Sequence, residues 1–162
     1  RNVARIAKGF GMKVSAFDPF VKDEAMLAEG VTPIHSIEEL YKENQFVSLH
    51  IPATKDTIKS VNKALIDLMP KNAVLVNAAR KEVIDEDSLR EALETRTDFK
   101  YVADVKPDIA AELQEKYGNR VLFTPKKMGA QTAEANIKAG IAAAEQVVAN
   151  LKDGWNKFQV NK

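Results

Sequence analysis

Five charged side chains occur within or shortly after short apolar segments of this sequence. Asp18 follows "KVSAF", Arg80 follows "AVLVNAA", Asp104 lies in "YVADV", and Lys126 and Lys127 follow "RVLFTP". The planar fork of an arginine can hold a carboxylate through two parallel hydrogen bonds. A carboxylate in turn accepts hydrogen bonds from the hydroxyl groups of a ligand. These residue types therefore indicate a site for a small polar or acidic ligand.

Asp18 and Arg80 each have two interpretations. In a βαβ unit that binds a dinucleotide, an acid at the position of Asp18 accepts hydrogen bonds from the adenosine ribose. Asp18 stands before Pro19, however, and could simply form a turn. Arg80 could hold the carboxylate of a ligand, or it could pair at the surface with Glu82 or Asp85. The sequence leaves both questions open.

The other polar positions are also ambiguous. A carboxylate inside an apolar strand is costly unless it is hydrogen-bonded, so Asp104 faces either a ligand or a helix N-terminus. His50 ends "FVSLH", where a histidine is more often a structural hydrogen-bonding group than a base. Lysines usually face solvent, but Pro125 fixes the backbone before Lys126, and a Gly-Ala step then leads into a helix. This context favours a functional position for Lys126.

Strand-like and helix-like segments alternate along the whole chain, which predicts a doubly wound α/β domain with a parallel sheet. In such sheets ligands bind outside the carboxyl ends of the strands, where the polar residues above occur. The predicted strands are 13–18, 31–34, 46–51, 73–79, 100–105 and 120–124. The predicted helices are 3–10, 23–30, 36–43, 63–70, 85–95, 108–117 and 131–152.

The composition excludes several functional classes. The 162 residues are 45% apolar and 29% charged with a net charge of +1, so no basic surface for nucleic acid or anionic membrane is expected. No apolar run reaches the roughly 20 residues of a membrane span. Cysteine is absent, which fits a reducing cytoplasm, and two histidines make a multi-histidine metal site unexpected.

Four motifs, in this order, resemble those of the NAD-dependent D-2-hydroxyacid dehydrogenases, and the resemblance covers essentially the whole chain. They are "SLHIPAT" (48–54), "NAARKEVIDEDSL" (77–89), "DVKPDI" (104–109) and "TPKKMGAQTAEA" (124–135). The resemblance implies a Rossmann-like domain that binds NAD, a small 2-hydroxyacid as substrate, and a homodimer.

The resemblance also implies how the chain is divided. Residues 1–130 would form a partial NAD-binding domain that lacks the first strand and the glycine-rich loop. Residues 131–162 would form a C-terminal helix and a tail that returns toward a substrate domain outside this sequence.

The catalytic set of the family is an arginine, a glutamate and a histidine. By resemblance, the arginine corresponds to Arg80, which would bind the carboxylate of the substrate. The glutamate position is Ile109, the histidine position is Lys126, and the glycine after the arginine is Lys81. A lysine that acts as a base needs a lowered pKa. Because Ile109 removes an acidic partner and adds apolar surroundings, it favours a neutral amine, and we expect Lys126 to act as the acid/base.

The cofactor contacts follow from the same resemblance. Asp18 would bind the adenosine ribose and would favour NAD over NADP, because an acid there repels a 2′-phosphate. Asp104 would contact the nicotinamide amide, and His50 and Pro52 would line the cofactor cleft. The full set expected to bind NAD is Asp18, His50, Pro52, Asn77, Ala78, Asp104, Lys126 and Gly129.

The implied reaction is the oxidation of a D-2-hydroxyacid at C2, with D-3-phosphoglycerate as the expected substrate. Two alternatives remain. The substrate could be another 2-hydroxyacid or glyoxylate, because most specificity contacts would lie outside this sequence. The protein could also bind NAD without catalysis, because two of the three catalytic positions depart from the family pattern.

Overall fold

The computed structural model describes residues 1–125, 132–157 and 159. The chain divides into two units, Arg1–Pro125 and Lys126–Lys162. The sequence-based division was placed at residue 130. The assignment of the two parts to a cofactor domain and to a helix returning toward a substrate domain stays a prediction.

Parallel strands alternate with helices throughout the first unit, which confirms the α/β class. The strands are β1 (Ser15–Ala16), β2 (Thr32–Pro33), β3 (Phe46–Leu49), β4 (Val74–Asn77), β5 (Lys100–Ala103) and β6 (Val121–Phe123). The helices are α1 (Asn2–Gly9), α2 (Asp23–Ala28), α3 (Ile37–Glu43), α4 (Lys63–Leu68), α5 (Glu86–Thr95) and α6 (Ala110–Tyr117), with short 3-10 helices at Lys81–Val83 and Gly118–Arg120. Each predicted element is present, and most are shorter by a few residues.

The strands form two sheets. β1 pairs with β2, and β3 to β6 pair side by side in sequence order, all in parallel. The hydroxyl of Ser15 in β1 donates to the side-chain oxygen of Asn44, just before β3, at 3.0 Å. Gly11, between α1 and β1, has a φ of +77°, a conformation that glycine adopts without steric cost.

The core lies on one face of the four-stranded sheet. Val47 and Leu49 of β3 are buried, whereas Phe46 remains 54% exposed, as expected from the two-residue period of a strand. Helices α3 to α6 cover the buried face. The core includes Tyr41, Leu65, Ile66, Leu75, Leu89, Leu93, Phe99, Tyr101, Leu113 and Val121.

Side-chain caps fix the beginnings of several helices. Ser36 caps α3, since its hydroxyl accepts a hydrogen bond from the backbone of Glu39 at 3.3 Å. The same hydroxyl donates to the carboxylate of Glu38 at 2.7 Å. Asn62 caps α4 in the same way through the backbone of Leu65, at 3.2 Å.

The described part of the second unit is dominated by one helix, α7 (Ala133–Asp153), of 21 residues. Thr132 caps its beginning by accepting a hydrogen bond from the backbone of Ala135 at 3.1 Å, and Gly154 ends it in the left-handed conformation. No side chain of this helix is buried among the residues described.

Two observations concern membrane-spanning helices and metal-binding groups. Within residues 1–125, 132–157 and 159, no helix is long and apolar enough to cross a membrane. The same residues contain no group of three or more histidine, aspartate or glutamate side chains arranged to hold a metal ion.

Candidate functional site

The carboxyl ends of β3 to β6 form one continuous edge. Leu49 pairs with Asn77, Asn77 with Ala103, and Ala103 with Phe123. The residues that follow these four therefore begin adjacent loops: His50, Ala78, Asp104 and Thr124. This arrangement agrees with the expectation that polar residues after the strands gather at one edge.

Asn77 organises the loop after β4 from inside the protein. Its side chain is completely buried. The oxygen accepts from the backbone of Ala79 at 3.0 Å, and the amide nitrogen donates to the carbonyl of Arg80 at 2.9 Å and to the hydroxyl of Tyr101 at 3.4 Å. The buried side chain of Asn77 thus holds the loop after β4, in which Ala78 is exposed, and binding of NAD by Asn77 and Ala78 stays a prediction.

Arg80 is exposed at the end of this loop. Its guanidinium donates to the neighbouring carbonyl of Ala79 at 2.9 Å. Among the described residues no carboxylate lies within ion-pair distance of Arg80. Of the two acids that offered a surface alternative, Asp85 lies 3.7 Å from the ammonium of Lys59. The guanidinium can therefore donate hydrogen bonds to the carboxylate of a ligand.

Asp104 joins the ends of three strands. Its backbone donates to the carbonyl of Asn77 at 3.0 Å. Its carboxylate and its carbonyl accept from the hydroxyl of Thr124 at 2.9 and 3.1 Å. A carboxylate held in this way has a fixed position, and its contact with the nicotinamide amide stays a prediction.

His50 and Pro52 lie in the loop after β3, and both are exposed. The ring nitrogen Nε2 of His50 lies 3.0 Å from the hydroxyl of Ser48. Partial desolvation by neighbouring atoms lowers the pKa of His50. The carbonyl of Pro52 accepts from the hydroxyl of Thr57 at 2.6 Å, which holds the loop in a turn.

Asp18 is exposed two residues after β1. One carboxylate oxygen accepts from the backbone of Phe20 at 2.9 Å, so the turn anticipated for an aspartate before Pro19 is present. A carboxylate has about four acceptor positions, and this bond occupies one of them. The turn is therefore compatible with binding of ribose hydroxyls, which stays a prediction.

A cavity of about 380 Å³ opens beside the loops that follow β4 and β5. Its lining includes Asp108 and two of the positions that depart from the family pattern, Lys81 and Ile109. The ammonium of Lys81 lies 2.6 Å from the carboxylate of Asp108. Ile109 is half-buried and packs against the core.

Lys126 and Gly129 lie outside the described residues, and so does Lys127. The expected convergence of Arg80 and Lys126 within about 8 Å, the separation at which two groups could hold one small acid, stays a prediction. The described chain approaches Lys126 through Thr124 and Pro125.

Thr124 and the Lys81–Asp108 ion pair are parts of this edge that the sequence did not predict. Thr124 had a signal, because it directly follows an apolar strand, as Asp104 does. Lys81 and Asp108 are 27 residues apart, and nothing in their local sequence indicates that they meet.

Comparison with known proteins agrees with this geometry. Residues 1–125 match the family described as "D-isomer specific 2-hydroxyacid dehydrogenase, NAD binding domain". The chain is similar to the D-3-phosphoglycerate dehydrogenase of Methanocaldococcus jannaschii, with 36% identity over 99% of this chain and 31% of the relative. It is comparably similar to the glyoxylate reductase of Thermococcus litoralis, with 34% identity over 99% of this chain and 48% of the relative.

A solved structure shows the same fold. It is an NAD+-bound 3-phosphoglycerate dehydrogenase of Entamoeba histolytica, which is 40% identical with a TM-score of 0.84. The match covers 99% of this chain and 51% of that one. The chain thus spans about a third to a half of the length of these relatives. It belongs to the D-isomer specific 2-hydroxyacid dehydrogenases, and residues 1–125 correspond to their NAD-binding domain.

Proposed function

We propose that the whole protein that carries this chain oxidises D-3-phosphoglycerate to 3-phosphohydroxypyruvate with NAD+ as the acceptor. The observation that carries the proposal is Arg80, an exposed guanidinium in a loop that the buried Asn77 fixes at the end of β4. The similarity to two 3-phosphoglycerate dehydrogenases, at 36% and 40% identity, supports the choice of substrate.

The described residues fit a dinucleotide along the edge of the sheets. Asp18 offers carboxylate lone pairs for ribose hydroxyls, and Asp104, whose carboxylate is held in place by Thr124, would contact the nicotinamide amide. His50 and Pro52 are exposed after β3 and would form a wall of the cleft. When bound, NAD+ supplies the acceptor for the hydride that leaves C2 of the substrate.

Arg80 and Lys126 would divide the work on the substrate. Arg80 binds the carboxylate through two parallel hydrogen bonds and thereby orients C2. Lys126 takes the proton of the C2 hydroxyl as its amine becomes an ammonium. The half-buried Ile109 is uncharged and offers no ion-pair partner to an amine, and an amine without an acidic partner gives up its proton more readily.

The test is NADH production by the whole protein with D-3-phosphoglycerate, measured from pH 6 to pH 10. Lys126→Ala is expected to lose at least about 100-fold in kcat, the usual contribution of a positioned acid/base. Lys127→Ala is the matched control and should keep most of the activity. Arg80→Lys should raise KM strongly, because a point charge replaces a planar fork.

The outcomes separate the alternatives. Unchanged turnover in Lys126→Ala would exclude the lysine as the acid/base. Turnover of glyoxylate with none of D-3-phosphoglycerate would favour a glyoxylate reductase, for which the 34% identity to the Thermococcus litoralis enzyme is the supporting observation. Retained NAD binding without turnover of any 2-hydroxyacid would indicate a binding protein.

We also propose that the whole protein is a homodimer, which rests on the family likeness. Light scattering at micromolar concentration tests the oligomeric state. A monomeric mass would exclude the dimer and would leave the proposed reaction intact.

A further inference from the structure

An ion pair between side chains joins the loops after β4 and β5 at the edge of the sheet. The first runs through Arg80 into the 3-10 helix Lys81–Val83, and the second runs through Asp108 into α6. Their strands pair directly, since Asn77 is opposite Ala103. A side-chain link between the loops therefore fixes the geometry on one side of Arg80.

The link is the ion pair between Lys81 Nζ and Asp108 Oδ1, at 2.6 Å. The side chains are 40% and 75% exposed. The hydrogen bond to Asp108 raises the pKa of Lys81 more than desolvation lowers it, and nearby Glu82 and Glu86 add to the increase. Lys81 therefore stays protonated at neutral pH, and the pair persists through the working range.

The far end of the link is itself anchored. The backbone of Asp108 donates to the carboxylate of Glu86, the first residue of α5, at 2.7 Å. Ile109 packs against the core beside it. Asp108 thus presents its carboxylate from a backbone that is held on both sides.

The near end adjoins Arg80. The Arg80 carbonyl accepts from Asn77, and the next residue is Lys81. Backbone hydrogen bonds at 2.9 and 3.0 Å also hold Glu82 and Val83 to the segment Lys59–Val61. The backbone of Arg80 is therefore held on one side by the buried Asn77 and is followed on the other by Lys81, which pairs with Asp108.

We propose that the Lys81–Asp108 ion pair positions Arg80 for the carboxylate of the hydroxyacid, so that Lys81 and Asp108 are positioning residues. The inference rests on the proposed function. Lys81 does not act as a second substrate cation, because Asp108 already neutralises its ammonium.

The experiment compares steady-state kinetics of the whole wild-type protein with four variants. Lys81→Met and Asp108→Asn each break the pair, and Lys81→Asp combined with Asp108→Lys restores it with reversed charges. Lys116→Met is the matched control, since it breaks a similarly exposed pair with Glu112 on α6, at 3.2 Å. The amide hydrogen exchange of residues 78–83 is followed in parallel.

Both single variants should raise the KM for D-3-phosphoglycerate about two- to fivefold, the range of an exposed ion pair, with kcat and the KM for NAD unchanged. Exchange in residues 78–83 should become faster. The double variant should recover the KM and the slow exchange, and Lys116→Met should match the wild type.

Three results would overturn the inference. An unchanged KM in Asp108→Asn would exclude positioning. A raised KM in Lys81→Met with a normal KM in Asp108→Asn would identify Lys81 as a direct substrate contact. Wild-type protein without turnover of any 2-hydroxyacid would refute the proposed function and this inference together, whereas the first two results leave the proposed function standing.

Discussion

Replacing Asn77 by leucine tests whether a buried amide holds the loop that carries Arg80. Leucine has a similar size, so the change removes the hydrogen bonds with little change in volume. It leaves the backbone N–H of Ala79, the carbonyl of Arg80 and the hydroxyl of Tyr101 without their partner. The Ala79 and Tyr101 groups are buried and have poor access to water.

The expected loss of stability is about 3 kcal/mol. Three hydrogen bonds contribute roughly 1 kcal/mol each, and an unsatisfied buried donor adds about 1–3 kcal/mol. The apolar surface of the leucine returns about 1–2 kcal/mol. With a urea slope of about 2 kcal/mol/M, the unfolding midpoint should fall by about 1.5 M.

The assay is urea unfolding followed by circular dichroism, with Asn62→Ala as the control. Asn62 also uses its side-chain oxygen to accept from a backbone N–H, but at the beginning of α4. Its loss should cost about 1 kcal/mol, as for other helix caps. If Asn77→Leu costs no more than Asn62→Ala, the buried amide does not fix the loop and the reasoning fails.

Three further predictions concern groups away from the loop. Tyr41→Phe should stabilise the protein by about 1 kcal/mol, because the buried hydroxyl of Tyr41 has no hydrogen-bond partner among the described residues; a loss of stability by urea unfolding would refute this. Arg96→Ala should cost about 2–4 kcal/mol by the same assay, because the Arg96 side chain donates to three carbonyls in the last turn of α4 and just after it, and to the carboxylate of Asp98. Arg96→Lys should recover less than half of the lost stability. The pKa of His50 is lowered in the folded protein, so the unfolded chain binds more protons, and stability should fall as the pH drops from about 6.5 toward the folded pKa. His50→Gln should flatten this slope, and an unchanged slope would assign it to other groups.

Much of the fold was predictable because local patterns and tertiary structure agree. The alternation of strand-like and helix-like segments predicts each element, and the helix predicted at 36–43 is observed at Ile37–Glu43. The edge of the sheet was predictable for a topological reason, since parallel strands bring all their carboxyl ends together. His50 and Asp104 accordingly begin the loops on either side of the loop after β4.

The environment of individual side chains was less predictable. Asn77 belongs to the buried set of β4 with Leu75, and the two-residue period of the strand was the signal for its burial. The partners of Arg80 could not be chosen from the sequence, because Glu82 and Asp85 are both near it in the chain, yet neither forms an ion pair with it in the described structure. Asp85 accepts from Ser88 and lies close to Lys59.

The departure at Ile109 is consistent with the charges around it. Its neighbours Asp108 and Glu86 are acidic, and among the described residues Lys81 forms an ion pair with Asp108. A carboxylate at position 109 would be half-buried beside these acids, so both desolvation and repulsion would raise its pKa. An isoleucine avoids this cost by packing into the core. A lysine base does not need an acid to hold its proton. If the base is a lysine, an isoleucine at position 109 therefore avoids the cost of a half-buried carboxylate, and the reaction loses no group that it needs.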